Sequence, residues 1–552
     1  MRFQLVTAGR QFNSHEMEGV MTETITGTNR SGGVTVQDMI PYDTRRVPDY
    51  LSRESVMPPG PTKVPVERYT SREFHDIEVE KLWMKVWQMA CHEDDIPDVG
   101  DYLPYEIADR SFLIVRSAPD EVKVFKNACL HRGRLIKERP GKRTHELRCP
   151  FHAWAWHLDG KLKEIPCQWD FPYVDAEDSN LPEIKVGRWG GFIFINPDLE
   201  CEPFEDFLGD FPENFQLLPY EKRYKVAEVR KVIKANWKVA QDAFAESWHV
   251  FSTHPQMSWE MGDCNAQFDA FENYSRQNNV GGGTPHLMNT KDFGPMPAVE
   301  HNRPRERHPF SGAIYELRED GNVDVTMPNG KKGVFDSEAQ WIEGEVGHAD
   351  IHLCHYMVYP RDEMIPPSMS ELSAQDGLWT KKDLPREEWI KLIAESRAQN
   401  AQAMRDTMRP IIGDVVDEVC DGEMTGNIYF NLFPNLMPCS SFTNLAVWFR
   451  FRPNGNNPEE CIMESICIAP IPEGDERPST PPEFCELGSD DSWANAPVLG
   501  FLASVLDQDS GNMPFVQQGI KNLESGTVQL ADYNEMKLRH FYKKLDEYLE
   551  KI

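Results

Sequence analysis

The chain has 552 residues, with 58 lysines and arginines against 89 aspartates and glutamates, which gives a net charge of −31. This length allows two or more domains with sizeable cores, and a 40% share of hydrophobic residues is ordinary for a globular protein. The acidity excludes broad nucleic-acid binding, because neutralising phosphates requires cations. No apolar run approaches the ~18–20 residues that span a bilayer, so we expect no membrane association.

Twelve cysteines are scattered along the chain without a dense disulfide framework. We therefore expect those outside any metal site to be reduced and mostly buried, as in a cytoplasmic protein. The first twenty residues lack the long apolar core of a signal peptide. Met17 and Met21 lie close to this start, so the true start codon could be one of these later methionines.

Residues 1–48 are polar, and we predict that they form a disordered extension. In segment 49–91 an extended Pro58–Pro61 linker precedes a helix that starts at Ser71. We expect this helix to pack on the larger C-terminal domain rather than near the first cysteine motif. The apolar stripe that supports this prediction comprises Phe74, Ile77, Leu82, Trp83 and Trp87.

Residues 92–205 read as a small antiparallel β domain, with strands at 102–107, 112–116, 122–127 and 192–196. Between these strands, Cys129-x-His131 and Cys149-x-x-His152 are separated by 17 residues. Such pairs suit either a structural Cys2His2 zinc site or an iron–sulfur cluster. In a Rieske [2Fe–2S] centre two cysteines hold one iron and two histidines the other, so each loop would supply one thiolate and one imidazole.

The segments Cys-Leu-His-Arg-Gly and Cys-Pro-Phe-His-Ala-Trp resemble the Rieske motif of ring-hydroxylating oxygenases. By this resemblance the four residues of the two pairs hold a Rieske cluster, and Trp154 and Trp156 cover it. Ala153 stands where the family usually has glycine and is expected to tighten the second loop. The extra cysteine pair of respiratory Rieske proteins is replaced by Arg134 and Phe151, which implies the lower-potential type. His145 and His157 do not fit the ligand spacing of the motif, so we do not expect them to bind the cluster.

A second motif lies in residues 236–256, where Asn236 is a plausible helix N-cap. Asp242, Glu246 and His249 stand at i, i+4 and i+7 and would share one helix face. His254 lies about 140° round an ideal helix from His249 and cannot share that face while the helix continues. The proline that follows His254 disfavours helical geometry there, so the chain can turn and bring both imidazoles to one metal.

Two histidines and one carboxylate with open positions form the facial triad of non-haem Fe(II) oxygenases. The stretch resembles the mononuclear-iron motif of the same family, which implies that His249 and His254 are iron ligands. Glu246 occupies the position of the catalytic bridging carboxylate, which in the family relates the Rieske histidine of one subunit to the mononuclear site of its neighbour. This residue is usually aspartate in ring-hydroxylating members, and glutamate is shared with some relatives that oxidise quaternary amines. Such a carboxylate can accept hydrogen bonds from both ligand imidazoles and orient them.

The third ligand is expected late in the chain. In the family the ligand carboxylate stands eight residues before the glutamine of a Gln-x-Gly sequence, and Asp509 has this offset from Gln517. We predict Asp509 as the ligand, with Asp507 as the alternative.

Other segments carry weaker signals. We expect residues 275–345 to be a long loop or an insertion over the pocket, 389–408 a polar helix, 428–452 and 461–471 strands of an antiparallel sheet, and 538–552 an amphipathic helix. His348 and His352 have metal-ligand spacing but suit ordinary structure better. Four apolar residues are candidates for the pocket, although each suits the core: Phe430, Phe433, Leu436 and Phe442.

The resemblance spans about residues 66–552 and implies an α+β protein. A small antiparallel β Rieske [2Fe–2S] domain (92–205) is inserted into a helix-grip, START-like catalytic domain (206–552) with an antiparallel sheet. The implied cofactors are the Rieske cluster and a mononuclear Fe(II). The chain contains no G-x-G-x-x-G nucleotide site, so NAD(P)H would act only indirectly, through a separate reductase or ferredoxin.

The implied activity is that of a terminal oxygenase that uses O2 to dihydroxylate or hydroxylate an aromatic or other apolar substrate, as in aromatic hydrocarbon catabolism. The family commonly forms homotrimers or α3β3 assemblies. Monooxygenation by O- or N-demethylation is one alternative. The other is a Rieske electron-transfer protein without an oxygenase site.

Overall fold

The structure is a computed structural model that describes residues 34–55, 60–175, 177–257, 266–280, 293, 296–298, 303–359, 385–425, 428–440 and 445–550. Among these residues no helix is both long enough and apolar enough to cross a membrane. The described cysteines are all free and mostly buried, with Cys167 exposed, and Cys264 lies outside the described residues.

The elements are numbered in chain order. The helices are α1 Val36–Met39, α2 Asp49–Ser52, α3 Glu67–Thr70, α4 Arg72–Glu78, α5 Phe204–Leu208, α6 Trp237–Phe244, α7 Val250–Thr253, α8 Ile351–Val358, α9 Arg386–Ile412, α10 Asp421–Thr425, α11 Leu502–Ile520 and α12 Met536–Glu550. The strands up to the first domain's end are β1 Lys63–Pro65, β2 Gln88–His92, β3 Tyr102–Ile107, β4 Arg110–Ala118, β5 Glu121–Lys126, β6 Leu147–Arg148, β7 Ala155–Trp156, β8 Leu162–Glu164, β9 Lys185–Trp189 and β10 Phe192–Asn196. The later strands are β11 Arg223–Ile233, β12 Gln267–Ala270, β13 Tyr274–Asn278, β14 Arg305–Arg307, β15 Ile314–Leu317, β16 Val323–Thr326, β17 Lys332–Phe335, β18 Trp341–Gly344, β19 Ile428–Leu432, β20 Leu436–Met437, β21 Cys439–Ser440, β22 Ala446–Asn454, β23 Asn457–Pro470, β24 Glu483–Leu487 and β25 Thr527–Gln529.

The first domain is built from short antiparallel sheets with the orders β2-β10-β9, β3-β4-β5 and β6-β7-β8. The strands predicted at 102–107, 112–116, 122–127 and 192–196 are confirmed with small shifts at their ends. The boundary expected at residue 92 falls at the end of β2, which pairs with β10 in the register His92↔Phe192. Because that pairing makes β2 part of this domain's sheet, the domain already includes Gln88 rather than starting at 92.

The second domain is organised around a large sheet with the order β12-β13-β19-β20-β22-β23-β11-β24. Its neighbours pair antiparallel, except that β24 runs parallel to β11. The strands predicted at 428–452 and 461–471 are confirmed as β19–β23. The terminal helix α12 packs on β12 and β13 through its buried face, as a helix-grip arrangement requires. That face contains Leu538, Phe541, Tyr542 and Leu545.

The predicted helix after Ser71 is confirmed, and the Ser71 side chain caps it by accepting a hydrogen bond from the amide of Phe74. It continues as a π-helical turn at Val79–Trp83. Ile77, which precedes this turn, is exposed although the predicted stripe included it, whereas Trp83 at the end of the turn is buried.

This N-terminal segment packs on the second domain, as expected. The indole rings of Trp83 and Trp237 meet edge to face with centroids 5.0 Å apart. The ammonium of Lys238 lies 2.8 Å from both carboxylate oxygens of Glu78, and both side chains are buried. Segments before and after the first domain therefore belong to one core, and that domain is an insertion in it.

One expectation from the sequence is wrong, and another is decided between its two alternatives. Residues 34–48 are ordered rather than disordered, because α1 buries Val36 and Met39 in a cluster with Ile390 and Ile393 of α9. Residues 1–33 lie outside the described residues. The part of 275–345 that the structure describes is an insertion with its own sheet rather than a long loop, since β14–β18 form an antiparallel sheet in sequential order. The sheet was not predicted because its strands are short and its turns contain glycine, so the Gly- and Asn-rich sequence resembles a loop.

Candidate metal centres

The two cysteine–histidine loops have the same backbone design. The amide of Cys129 donates to the carbonyl of Arg134, and the amide of Cys149 donates to that of Trp154, each at 2.8 Å. The carbonyl of Cys129 accepts from Gly133 at 2.8 Å, and that of Cys149 accepts from Ala153 at 3.1 Å. Each cysteine thus closes its own loop and holds its histidine within one turn.

Gly133 and Ala153 occupy equivalent left-handed positions, with φ of +74° and +63°. The second loop is therefore not tightened by Ala153, because alanine adopts the conformation that glycine would adopt. The left-handed region costs an L-residue on the order of 1 kcal/mol, which Ala153 incurs and Gly133 avoids.

Asn127 supports the first loop, although the ligand motif did not predict this role. Its Oδ1 accepts hydrogen bonds from the amides of Ile136 and Lys137, each at 3.1 Å. Its Nδ2 donates to the carbonyl of Lys137 at 2.7 Å and to Oγ of Ser111 at 3.0 Å. A short polar side chain two residues before the first cysteine was the available signal.

The four side chains predicted to hold the cluster come together at the tip of the domain. Cys129 and Cys149 are buried, and the ring centroids of His131 and His152 are 4.5 Å apart. Nδ1 of His131 is buried and has no hydrogen-bond partner among the described residues, as expected for a nitrogen that faces a metal. These residues fit a cluster with one thiolate and one imidazole from each loop.

The two tryptophans have different roles. Trp154 stacks on the His131 ring at 5.3 Å with an interplanar angle of 6°, so it lies beside the loops. Trp156 is fully buried and donates from Nε1 to the carbonyl of Ser179 at 2.8 Å, so it belongs to the core. His145 and His157 are exposed.

The second motif does not form one continuous helix. Asn236 caps α6 as predicted, by accepting from the amide of Lys238 at 3.0 Å, but α6 ends at Phe244. The carboxylate of Glu246 then accepts hydrogen bonds from the amides of Trp248 and His249. The expected common helix face of Asp242, Glu246 and His249 is therefore wrong, because a local side-chain cap replaces the helical hydrogen bonds there.

The structure brings His249, His254 and Asp509 together, with one ligand atom from each lying within 4.8 Å of the others. Oδ1 of Asp509 is 2.8 Å from Nε2 of His254 and 3.4 Å from Nε2 of His249. The chain turns at His254, as the following proline predicted, and α11 supplies Asp509. Asp507 points elsewhere, towards Oγ of Ser492 at 2.5 Å.

The two imidazoles are oriented by different acceptors. Oε1 of Glu246 lies 2.6 Å from Nδ1 of His249. Nδ1 of His254 instead lies 2.8 Å from Oε1 of Gln508, so the expectation that Glu246 contacts both rings is wrong. Glu246 is engaged with its own loop, and the side chain next to Asp509 on α11 is the one that reaches His254. Gln508 was not predicted, although its position beside the expected ligand was a usable signal.

The site attracts cations. Burial alone would raise the pKa of the Asp509 carboxyl, but the His254 and His249 imidazoles hold it well below its usual range. Burial alone would lower the pKa of His249, yet Glu246 and Asp509 raise it well above its usual value. The excess negative charge that favours a proton on His249 equally favours a divalent cation.

His348 and His352 do not form a helical pair, because α8 begins only at Ile351, after the cap residue Asp350. His352 nevertheless lies near the site, since its backbone carbonyl accepts from Nε2 of Gln508 at 3.1 Å. It is not part of the metal-binding group found among the described residues.

A cavity of about 580 Å³ adjoins His249 and Asp509. Its wall also contains the carboxylates of Asp242, Glu246 and Glu535. Oδ2 of Asp242 lies 3.0 Å from the hydroxyl of Tyr69 and 2.7 Å from that of Tyr542, and burial raises the pKa of Asp242 to about 7.

The pocket candidates from the large sheet do not line this cavity. Phe430 packs against Phe211 and Phe215, so it belongs to the core. Phe433 contacts Phe541 of α12 in the same core. Phe442 lies outside the described residues.

Two loops that each pair a thiolate with an imidazole, together with a separate group of two histidines and one carboxylate, define the class of Rieske non-haem iron proteins. Residues 86–175 match the description "Rieske [2Fe-2S] domain". The chain belongs to the family described as "Ring hydroxylating alpha subunit (catalytic domain)", whose profile matches residues 220–551. The family's cofactors, a Rieske cluster and a mononuclear iron, fit the residues at both centres.

Curated relatives include oxygenase subunits of different specificity. The carnitine monooxygenase oxygenase subunit of Acinetobacter pittii is 32% identical over 190 residues, 34% of this chain and 51% of that protein. The anthranilate 1,2-dioxygenase large subunit of Acinetobacter baylyi is 27% identical over 202 residues, 35% of this chain and 43% of that protein. The chain thus spans about half the length of these relatives. The glycine betaine monooxygenase oxygenase subunit of Pseudomonas aeruginosa is 25% identical over 346 residues, 59% of this chain and 75% of that protein.

Solved structures share the fold. A quaternary ammonium Rieske monooxygenase in complex with L-carnitine has a TM-score of 0.52 and 16% identity, covering 88% of this chain and 96% of that one. Naphthalene 1,2-dioxygenase from Rhodococcus sp. has a TM-score of 0.51 and 17% identity, covering 89% and 95%.

Proposed function

We propose that this chain is the terminal oxygenase component of a Rieske oxygenase, which oxidises a small organic substrate with O2. The observation that carries the proposal is the convergence of His249, His254 and Asp509 within 4.8 Å, in the same chain as a Rieske domain. A Rieske electron carrier would need only the first centre. The second centre therefore favours an oxygenase over a carrier.

The protein's own residues would hold the iron and fix the orientation of its ligands. When bound, the mononuclear iron supplies the site of O2 activation, and the cluster supplies electrons. His249, His254 and Asp509 would hold the iron on one side and leave other positions open. Glu246 and Gln508 fix the two ring orientations by binding Nδ1, which keeps each Nε2 directed at the metal position. Burial of His254 and Asp509 excludes bulk water.

Electrons would come from a separate NAD(P)H-dependent reductase or a ferredoxin. We propose that the chain assembles as a homotrimer, or as an α3β3 complex, in which the Rieske tip of one copy meets the cavity of its neighbour. Exposed apolar side chains at both places support this arrangement: Leu130 and Phe151 lie at the tip, and Phe515 and Val516 lie at the cavity wall.

The reaction type has two candidates. Dihydroxylation or hydroxylation of an aromatic or other apolar substrate is the activity that family membership favours. Monooxygenation, such as the demethylation of a methylated amine, is the second candidate, because Glu246 replaces the usual aspartate and because relatives include carnitine and glycine betaine monooxygenases.

The decisive experiment combines metal analysis with isotope labelling. The purified chain should contain about three irons, whereas an electron carrier would contain about two. Turnover with 18O2, a matched reductase and a panel of aromatic acids, methoxyarenes and methylated amines should place label in a product. One labelled oxygen indicates monooxygenation and two indicate dihydroxylation. Two irons per chain with no labelled product would refute the oxygenase function.

A further inference from the structure

Two aromatic side chains of the Rieske domain project almost fully into solvent. Trp169 and Tyr173 are 80% and 82% exposed, and no other large hydrophobic side chain of the described residues is as exposed. Both belong to residues 168–175, which we call the 168–175 loop. Aromatic side chains of this kind are enriched where proteins bind each other, because they combine a large apolar body with a polar tip.

The 168–175 loop is anchored in its domain. Phe171 and Val174 pack against the core that contains both cluster cysteines. The amide of Phe171 donates to the carbonyl of Gln168 at 3.0 Å, and the amide of Val174 donates to that of Phe171 at 3.1 Å. Since these turns direct Phe171 and Val174 to the core, Trp169 and Tyr173 are held outside it.

The loop also contacts a predicted ligand of the cluster. The ring of Phe171 meets that of His131 edge to face, with centroids 5.6 Å apart and an interplanar angle of 90°. The same ring lies 5.5 Å from Trp154, which stacks on His131. A protein bound to Trp169 and Tyr173 would therefore lie beside the residue that touches a ligand imidazole, which gives an electron a short path to the cluster.

The charge around the two aromatic residues is negative. Residues 168–178 contain four carboxylates and no lysine or arginine. Asp170, Glu177 and Asp178 are exposed and form no ion pair with another described residue. In the same domain Glu146 and Glu164, by contrast, are paired with arginine or lysine. Unpaired carboxylates around an apolar centre favour a partner with a basic, partly apolar face.

A second copy of this chain fits that description poorly. The chain has a net charge of −31, and the cavity that the proposed assembly offers to a neighbouring tip has Asp242, Glu246 and Glu535 in its wall. Residues 130–143, around the first cluster loop, contain six lysines and arginines and one glutamate, so their charge suits this cavity. The acidic 168–175 loop is left for a different protein.

We propose that Trp169 and Tyr173, surrounded by the carboxylates of Asp170, Glu177 and Asp178, are the docking surface for a separate electron-transfer protein with a basic face. This inference rests on the proposed function, because a terminal oxygenase receives its electrons from another protein. In each encounter the donor loses one electron and the cluster gains it, and no covalent bond changes. Such redox contacts are small and transient, so charge guides the encounter and the aromatic side chains supply the contact.

Cytochrome c, a basic electron carrier, is the probe for this surface in the full-length, cluster-loaded protein. In the absence of O2 and substrate, the reduced cluster passes one electron to the ferric haem, and stopped-flow absorbance gives the rate. The neutral oxidant p-benzoquinone needs no docking surface and serves as the small-molecule control. Calorimetric titration of ferric cytochrome c into the oxidised protein measures binding without any electron transfer.

The charged and the apolar parts of the surface are changed separately. Combining Asp170→Asn, Glu177→Gln and Asp178→Asn should slow cytochrome c reduction about tenfold at low ionic strength and weaken its salt dependence, because the encounter is no longer steered. Combining Trp169→Ser and Tyr173→Ser should weaken binding about tenfold even at the ~0.15 M ionic strength that screens exposed charges. In both variants the rate with p-benzoquinone should stay the same.

The matched control lies on β18, where Trp341 and Glu343 are also exposed. Combining Trp341→Ser and Glu343→Gln changes the same residue types in another sheet and should alter neither cytochrome c binding nor its rate of reduction.

Three results would overturn the docking surface. The first is unchanged cytochrome c affinity and rate in both loop variants. The second is tighter binding of an acidic plant-type ferredoxin than of cytochrome c, which would exclude a basic partner. The third is loss of oligomeric assembly in the loop variants during analytical ultracentrifugation, because the loop would then be a contact between copies. A loop that behaves as expected in a protein that forms no oxidised product would leave the surface intact and count against the oxygenase function instead.

Discussion

Nδ1 of His249 lies 2.6 Å from a carboxylate oxygen of Glu246, whereas the other metal-facing histidine, His254, is oriented by the amide of Gln508. One ring is thus held by a charged acceptor and the other by a neutral one. A charged acceptor makes an imidazole a stronger electron donor to a metal, so the two positions are chemically unequal. The site can be tested one acceptor at a time.

Glu246→Gln and Glu246→Ala should retain all the iron but lower turnover by about 10–100-fold, because the His249 ring loses its charged partner. Iron content, the absorption of the Rieske cluster and product formation measure these effects. Glu535→Gln, which alters another carboxylate in the wall of the same cavity, is the matched control and should retain most activity. Normal turnover in Glu246→Ala would refute a role for this carboxylate.

Gln508→Leu should reduce affinity for the mononuclear iron by about 10–100-fold while the Rieske cluster stays bound, because Nδ1 of His254 loses its acceptor. Iron retention during stepwise chelation measures the change. Gln518→Leu makes the same substitution at an exposed position of the same helix and should not alter retention. Equal loss of iron in both variants would mean that the helix, rather than this hydrogen bond, is responsible.

Gly133 and Ala153 occupy equivalent positions in the two cysteine–histidine loops, and exchanging glycine and alanine there should change stability in opposite directions. Gly133→Ala should destabilise the folded protein by about 1 kcal/mol, since the left-handed backbone penalises a Cβ and no atom lies within 4 Å to compensate. Ala153→Gly should stabilise it by up to roughly the same amount, reduced by the entropy of glycine in the unfolded chain. Urea unfolding of the cluster-loaded protein measures both, and effects of the same sign would contradict the equivalence of the loops.

Asp242 should make stability fall as pH rises. Burial raises its pKa to about 7 in the folded protein, while an unfolded aspartate releases its proton near pH ~4. The folded state alone therefore keeps this proton between about pH 4 and pH 7, and the corresponding stability is lost across that interval. Asp242→Asn should flatten this fall in unfolding experiments at pH 5 and pH 8, whereas Asn at the exposed Asp120 should not. An unchanged pH dependence would rule out the raised pKa.

Electron transfer between copies can be tested by complementation. Cys149→Ala removes a predicted cluster ligand, and His249→Ala removes a predicted iron ligand, so each variant alone should be inactive. Co-expressed with different affinity tags, the two should form mixed assemblies that regain activity, because one copy's cluster would serve its neighbour's iron. Inactive assemblies of proven mixed composition would show that both centres must lie in one chain.

Much of the architecture was predictable because its signals are local. The cysteine–histidine loops, the cap at Asn236 and the turn at His254 depend on residues a few positions apart, where covalent geometry limits the choices. The strands β19–β23 followed from alternation, and Asp509 followed from a short offset to Gln517. The π-helical turn after Glu78 and the end of α6 were missed, because side-chain packing and the competing cap of Glu246 decided them.

By itself, the sequence determined which residues are equipped to hold the two metal centres and the order in which they occur. Only the tertiary structure decided which side chains orient and surround them. Gln508 reaches His254 across 254 residues of chain, and Tyr542 of α12 reaches Asp242 of α6 across 300 residues. Such contacts depend on how whole elements pack to bury apolar surface, and no spacing along the chain encodes them.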